Sequence, residues 1–476
     1  MISENRQRDA QRTTSAIVIG GSLAGMCTAR VLSDFVDSVT VIERDAYPVD
    51  ADFRPGVPQA RHVHNLLARG LREFDRFFPG FEQRMLQQGA VAAETGWDIA
   101  TLRQHGWNHR SHTGLWQLFA SRPLIESTVL KFCRGLHNVT FLERTEVTAL
   151  RAAGESRRYC TGVEARSRAD GRTINIDADL VVDASGAHSK SGELLKHLEL
   201  NLPEDEIIDG HNSYSSRWFR LESERAWPSQ WWWKVLYLGI STPQEPYIIA
   251  FFPIENQRWV LSYIGVNKAP PPSREDQFMN SLARLASPVV HEMVQRMEPI
   301  SPVYPCSATR NRWRHYERWQ KPLGNFIAIA DAVCSFNPRF GQGMSAAAVS
   351  ARVLNDCLVK YGIGDPRLPE RFFSEQARFQ KTPWLFAAAD DLRFSTTLGK
   401  RTASTRLFNL YRRLMSACSN ERLGTHLSEV NQFVRPMSSL FAPQVFTRIL
   451  IFAICRQMKL LGRRASSQRV ASMPPD

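Results

Sequence analysis

Residues 16–45, AIVIGGSLAGMCTARVLSDFVDSVTVIERD, restrict the possible folds of this chain more than any other stretch. The β-rich run from Ala16 to Ile19 breaks at Gly20-Gly21. It resumes as Leu23 to Leu32, apolar and small at helical spacing, which predicts strand, tight turn and helix. Gly20 permits the turn, Gly25 and Ala29 let helix and sheet approach closely, and the helix start offers unpaired N–H groups to a pyrophosphate. A second strand, Val39 to Ile42, ends at Glu43 with Arg44 beside it, where a carboxylate can accept hydrogen bonds from adenosine ribose hydroxyls. Ser22 occupies the middle glycine position of G-x-G-x-x-G; it narrows the space for backbone approach and can donate its hydroxyl to phosphate. Glycines alone would fit an ordinary βα turn. The strand before them, the helix after them and the terminal acid together predict an adenine dinucleotide site.

The chain has 476 residues, 43% hydrophobic and 22% charged, an ordinary globular balance with room for two or three layers of structure. Residues 1–14 and 463–476 read as disordered ends. The polar N-terminus lacks an apolar h-region, so no secretory signal is expected. Eight cysteines show no C-x-x-C or metal spacing, which predicts reduced thiols in a cytoplasmic protein and no metal, zinc or iron–sulfur site. A net charge of +13 can attract nucleic acid. No helix-turn-helix, finger or stacking motif organises it, so nucleic acid is not an expected partner.

Further along, RPGVPQARHVHNLLARGLREFDRFFPGFEQ (54–83) reads as a loop folded back over the cofactor and leading into an amphipathic helix, with Leu66, Leu67, Leu71 and Phe74 on one face. A helix begins at Ser121 with Pro123 in its first turn. VTFLE (139–143), a hairpin through Gly171 and DLVVDASG (179–186) supply strands. Residues 211–265 alternate polar with bulky apolar side chains, predicting a broad antiparallel sheet. Its Trp218, Trp227, Trp231 to Trp233 and Trp259, with Trp97, Trp107 and Trp116, suggest a deep apolar pocket, ordinary core being the other reading. A helix follows near 274–286. Residues 325–362 read as strand, loop, glycine-rich turn and long small-residue helix, and everything after about 366 as helical. No second strand, glycine turn and helix unit recurs, which argues against a separate nicotinamide domain.

Three segments, GGSLAG with Glu43, DLVVDASGAHS and ADAVCSFNPRFGQGMS, resemble in order and spacing the flavoprotein monooxygenases of the para-hydroxybenzoate hydroxylase fold. RPGVPQARHVHNLL, SRPLIE and SFNPRFGQGMS further resemble the subset that includes bacterial alkene epoxidases of polyether biosynthesis and relatives acting on lipophilic polyketides or terpenoids. The resemblance spans roughly residues 14–360. It implies an α/β fold: a Rossmann-like FAD-binding domain (14–90, 115–200 and 315–365), an antiparallel-sheet substrate domain (91–114 and 201–314), and a C-terminal helical region (366–476). It also implies that FAD is held by Gly20, Ser22, Gly25, Glu43, Arg44, Arg61 and Arg122, with Asp331 on the ribityl chain. Gly341, Gln342, Gly343 and Met344 would form the turn at the pyrimidine edge. Asp183 and Gly186 fall in a segment that in relatives supports flavin and transient nicotinamide binding. Ala330 replaces the usual glycine before Asp331, and the glycine of the middle motif is displaced to Gly186.

The same resemblance implies electrons from NAD(P)H, directly or through a flavin reductase, and a flavin C4a-hydroperoxide formed from O2 that epoxidises or hydroxylates an apolar small molecule. An alkene needs no acid–base residue, whereas a phenol benefits from a base; the sequence identifies none. His62 and His64 alternate on an extended segment, so only one can look into a cleft, and packing or catalysis remains open for each. An FAD-dependent dehydrogenase or reductase and a non-redox flavoprotein cyclase are the alternatives. Halogenation is not expected, because Trp231-Trp232-Trp233-Lys234-Val235-Leu236 fails the W-x-W-x-I-P pattern. Residues 445–464 are too interrupted by Arg448, Arg456 and Lys459 to span a membrane. They read either as a helix packed on the FAD domain or, with Arg463 and Arg464, as an interfacial anchor making peripheral membrane contact.

Overall fold

The computed structural model describes residues 13–103, 106–154, 158–222, 227–239, 242, 245–307, 310–417, 421–460 and 473–474; of the last helix, side chains are described only to 451. At its centre lies a five-stranded parallel sheet ordered Phe326–Ala328, Leu180–Asp183, Ser15–Ile19, Ser38–Ile42, Val139–Leu142. Its strands are near-continuous apolar runs because both faces are covered, as parallel sheets require. From Ile19 the chain moves through helix Leu23–Leu32 to the neighbour on one side. The neighbour on the other side arrives only at Leu180. The strand order reverses at Ser15–Ile19, and such a switch point leaves a crevice at the carboxyl ends of the strands. Helix Leu23–Leu32 packs on helix Gly343–Tyr361, whose buried Ala347, Ala348 and Ala351 permit close approach. An antiparallel ribbon of Thr145–Ala153, Tyr159–Ser167 and Thr173–Asp177 packs on strands Leu180–Asp183 and Ser38–Ile42.

The second large sheet is ordered Met297–Pro299, Ser213–Leu221, Arg258–Gly265, Tyr247–Ile254, Val235–Leu238, Ile99–Arg103, Gly106–Trp107, with Tyr304–Cys306 beside Ser213–Leu221. It departs from the all-antiparallel expectation at one junction, where Val235–Leu238 runs parallel to Ile99–Arg103. Val91–Glu94 does not join this sheet; it pairs with Trp116–Phe119, which also takes Asn65–Leu66. Asn65 and Leu66 are therefore strand rather than helix, and the amphipathic helix starts at Ala68.

Alternation along the strands gives the sheet two faces. Phe219, Phe251, Trp259 and Leu261 point away from the parallel sheet into a core shared with Trp231, Trp233 and helices Glu275–Leu282 and Val289–Val294. Tyr214, Ser216, Trp218, Ala250, Phe252 and Ser262 point the other way. This corrects the expectation of a tryptophan-lined pocket: Trp227, Trp231 to Trp233 and Trp259 fill or flank the far core. Large flat rings give the far face enough buried area to hold the two short helices.

The C-terminal helices are Leu368–Asp391, Ala403–Ala417, Glu421–Asn431 and Pro443–Leu460. The last packs through Val445 and Ile449 on Phe386, Phe408 and Tyr411 of its neighbours. Arg463 and Arg464 lie outside the described residues. Among the described residues no helix is long and apolar enough to cross a membrane.

Candidate functional site

The glycine turn is pressed from both sides. A Cβ on Gly25 would stand 1.8 Å from the Gly20 carbonyl oxygen, and one on Gly20, whose φ is +97°, would stand 2.8 Å from the Ala184 oxygen and Ser185 Cα. The turn, the first helix and the end of strand Leu180–Asp183 thus meet at one point. Ser22 occupies the N-cap of helix Leu23–Leu32 but makes no cap hydrogen bond; its hydroxyl accepts from Arg122 Nη2 at 2.8 Å. Arg122 opens helix Arg122–Arg134, started by Ser121, whose side chain accepts from the Leu124 N–H. Arg122 is buried, which lowers its pKa against the pull of Glu126; its Nε stands 3.6 Å from Glu126 Oε2 and has no acceptor within hydrogen-bond distance among the described residues.

Glu43 lies at the end of the second strand, buried. It accepts the Gly21 N–H at 2.9 Å and the Asp45 N–H at 3.0 Å, and stands 3.2 Å from Arg54. Of about four lone-pair sites on the carboxylate, one remains for a ribose hydroxyl. Tyr47 donates its hydroxyl to the Gly21 carbonyl at 2.6 Å, closing the turn from outside. Arg54 also pairs with Asp45 at 3.2 Å and Glu126 at 2.5 Å. Burial opposes its charge, but Glu126 and Glu43 raise its pKa above the ordinary value. Neither Arg54 nor Tyr47 belongs to a periodic pattern, so neither stands out in the sequence.

Asp331 follows strand Phe326–Ala328 in a short 3-10 turn. Its carboxylate accepts no hydrogen bond among the described residues. Surrounding protein pushes its pKa up to about 6, against Arg122 and Arg314, although part of the residue stays open to solvent. Ala330 holds a left-handed conformation, φ +55°, where the related pattern has glycine. Gln376 anchors it, donating to the Ala328 carbonyl at 3.2 Å and accepting the Ala330 N–H at 2.9 Å. Arg314, also missed in the sequence, donates to the Ala332 carbonyl at 2.9 Å and the Ala187 carbonyl at 3.1 Å, tying the second and third motif loops together.

Gly341, φ +63°, and Gln342 lead into helix Gly343–Tyr361. A Cβ on Gly343 would meet nothing within 4 Å, so the helix start faces open space. Met344 is buried behind it. Gln342 donates to the Asn431 carbonyl at 3.0 Å, while its own Oε1 is buried without a donor. The preceding loop is anchored by Arg339, 2.5 Å from Asp390 and 3.4 Å from Asp391, and by Asn337, which donates to Asp391 at 2.6 Å. Asn212 and Asn311 donate to Asp391 as well, at 2.9 and 2.7 Å.

The extended segment carrying His62 and His64, which leads into strand Asn65–Leu66, runs between this turn and the second sheet. Leu67 N–H donates to Ser345 Oγ at 3.0 Å, and Asn65 lies against Gly341. His64 Nδ1 is 3.0 Å from the His62 carbonyl, which can only accept, so Nδ1 carries the proton and Nε2 is the free acceptor. His62 Nδ1 shares a 2.7 Å hydrogen bond with Ser216, which shares one of 2.5 Å with Ser262. Burial, then Arg61, lowers the His62 pKa to about 4; burial, then Arg122, lowers that of His64 to about 3. Both rings are neutral at pH 7. The Tyr214 hydroxyl near the His62 ring is buried without a partner among the described residues.

Three sequence-marked residues lie elsewhere or are otherwise engaged. The Arg61 guanidinium stands over the rings of Phe53 and Tyr304, 5.1 and 5.2 Å from their centroids, rather than at the glycine turn. Cation–π attraction and the neighbouring sheet edge hold it there. Arg44 is exposed beside Gly56. Asp183 is fully buried and capped by the hydroxyls of Ser185, Ser189 and Ser191, so it shapes its loop, including Gly186, φ +82°.

Gly20, Ser22, Gly25, Glu43, Arg122, Asp331 and the 341–344 turn therefore converge on one crevice. A glycine cradle too tight for any Cβ, an arginine nitrogen without an acceptor and a carboxylate without a donor fit a flavin dinucleotide. The family description "FAD binding domain" matches residues 13–368. Protein Rv3254 of Mycobacterium tuberculosis (strain ATCC 25618 / H37Rv) is 33% identical over 351 residues, 72% of each chain. Kynurenine 3-monooxygenase of Salinispora tropica is 22% identical over 363 residues, 74% of each. Among solved structures, tetrameric 2-methyl-3-hydroxypyridine-5-carboxylic acid oxygenase shares the fold with a TM-score of 0.57 at 15% identity, over 84% of this chain and 93% of that one. With its switch-point crevice and three converging motifs, the chain belongs to the FAD binding domain family.

Proposed function

We propose that this protein uses FAD, NAD(P)H and O2 to epoxidise or hydroxylate a lipophilic polyketide or terpenoid intermediate, the flavin being reduced directly or by a partner reductase. The observation that supports the reading is an Asp331 carboxylate that accepts no hydrogen bond among the described residues, within the electrostatic reach of the buried Arg122 that binds Ser22 of the glycine turn. FAD supplies the two-electron chemistry and the activation of dioxygen when bound. The chain's own part is to bind and orient. Ser22 and Arg122 meet the phosphates, Asp331 takes the ribityl hydroxyls, and Glu43 the adenosine ribose. Backbone N–H groups at Gly343 and Met344 offset negative charge at the pyrimidine edge.

The choice between epoxidation and hydroxylation turns on the second sheet. Neutral His62, for which the sequence left packing or catalysis open, shares a hydrogen bond with Ser216 and through it reaches Ser262; this relay supports hydroxylation of a substrate bearing an ionisable O–H. The buried face of the second sheet that meets the His62 segment carries Ser216, Ser262, Tyr214 and Phe252, a mixture of polar and apolar side chains that supports a largely apolar substrate with one polar end. Incubating the FAD-loaded protein with NADPH, labelled dioxygen and a panel of phenolic and alkenyl polyketides tests this. The expected product carries one labelled oxygen. A product without added oxygen would favour a cyclase, and one lacking two hydrogens a dehydrogenase.

A further inference from the structure

An apolar surface on the C-terminal helices is the largest feature that the crevice leaves unexplained. Leu407, Leu410, Phe441, Phe446, Leu450 and Ile451 are about half exposed or more, from 49% to 67%. They form a connected stretch. The ring of Tyr411 stacks on Phe441 at 5.2 Å between centroids and on Phe446 at 6.4 Å. Leu407 precedes Tyr411 by one helical turn, and Leu450 follows Phe446 by one. The opposite sides of these helices are ordinary core, with Phe408, Met415, Val445 and Ile449 buried together. Each helix is thus apolar on two sides, and only one is covered.

Charge says what covers the other. Residues 400–476 hold thirteen Lys and Arg against three Asp and Glu, so most of the chain's net charge of +13 belongs to this region. Arg406, Arg413 and Arg448 are exposed on the same helices, and among the described residues none pairs with a carboxylate. A second copy of this chain would bring the same positive charge to the contact and be repelled. An anionic lipid surface receives both the apolar side chains and the arginines. Among the described residues no helix is long and apolar enough to span, and the patch fits a surface-lying mode.

We propose that the 403–417 and 443–451 helix faces dock this protein on the surface of an anionic membrane, with Phe441, Phe446 and Leu450 entering the headgroup boundary. The inference is independent of the cofactor chemistry.

Sedimentation of the full chain with vesicles tests it. The protein is expected to sediment with phosphatidylcholine vesicles containing phosphatidylglycerol, and to be released from them as salt is raised. It should partition far less onto phosphatidylcholine alone. The double variant Phe446→Ser with Leu450→Ser should lose partitioning about tenfold or more while keeping FAD binding and soluble turnover, since neither residue touches the crevice. Failure to sediment with either vesicle overturns the proposal. So does a stable dimer in solution that the double variant splits, because a second copy would then own the patch. Binding unaffected by the double variant overturns it as well.

Discussion

At the residue scale, two features of the Ala330-Asp331 pair make sharp predictions. Ala330 holds φ +55° without being glycine, a conformation that costs a β-carbon residue about 1 kcal/mol. Ala330→Gly is therefore expected to raise the stability of the FAD-free protein by about 0.5–1 kcal/mol in denaturant titration, the upper end being reduced by glycine's larger backbone entropy. A fall in stability would mean that the methyl group makes a packing contribution larger than the strain. Asp331 has its pKa pushed up to about 6 by burial, against an ordinary value near 3.9. The folded state then binds this proton more tightly than the unfolded chain, so its contribution to stability is present at low pH and is lost as pH rises through 6. Ribityl hydroxyls donating to the carboxylate favour its ionised form. FAD affinity should accordingly rise between about pH 4 and 6, by up to about tenfold per unit, and level off above. Asp331→Asn should flatten that profile; a flat profile in the unaltered protein would remove Asp331 from the cofactor contact.

At the element scale, the question is why some pieces of the site were readable and others not. The Gly20–Gly25 turn was legible because its demands are local: a strand, a left-handed glycine and a small helix residue must follow one another in sequence. Arg122 and Asp331 were legible only through motif resemblance, since their partners lie far along the chain. Arg54, Arg314 and Gln376 were invisible, because a buried polar side chain acquires its role from contacts that no spacing encodes. The tryptophan misreading has the same origin. Alternation says that two faces exist, but not which one meets the crevice. The cluster of Arg339 with Asp390 and Asp391 shows how far such contacts reach, joining the loop before Gly341 to helix Leu368–Asp391. Burial opposes ionisation of Asp390, and Arg339, Arg412 and Arg393 nevertheless hold its pKa well below the usual carboxylate range. Replacing Arg339 by Met leaves two buried carboxylates short of a partner, which is expected to cost about 3–5 kcal/mol in chemical denaturation and to weaken FAD binding. Unchanged stability would show that Arg393 and Arg412 suffice for both acids.

At the scale of the whole molecule, the parallel sheet presents the cofactor crevice at its switch point. The second sheet turns its serine- and tyrosine-bearing face toward the same segment, 62–67, that backs the 341–344 turn. The C-terminal helices close the assembly through Asn431 on Gln342 and Gln432 on Ala68, contacts beyond the region where family resemblance was strong. One segment thus touches both layers, and His62 provides a measurable link between them. His62→Gln should lower turnover of an ionisable substrate while leaving FAD affinity within about twofold, whereas an equal loss of both would make the ring a packing element. Every role at the smaller scales depends on the convergence of distant segments around one flavin. Equilibrium titration of the FAD-free protein with FAD, followed by visible absorbance, tests it most directly alongside Asp331→Asn and Arg122→Met. The prediction is one FAD per chain, with affinity reduced about tenfold or more in each variant; a chain that takes up no FAD, or variants that bind it as tightly as the unaltered protein, would contradict it.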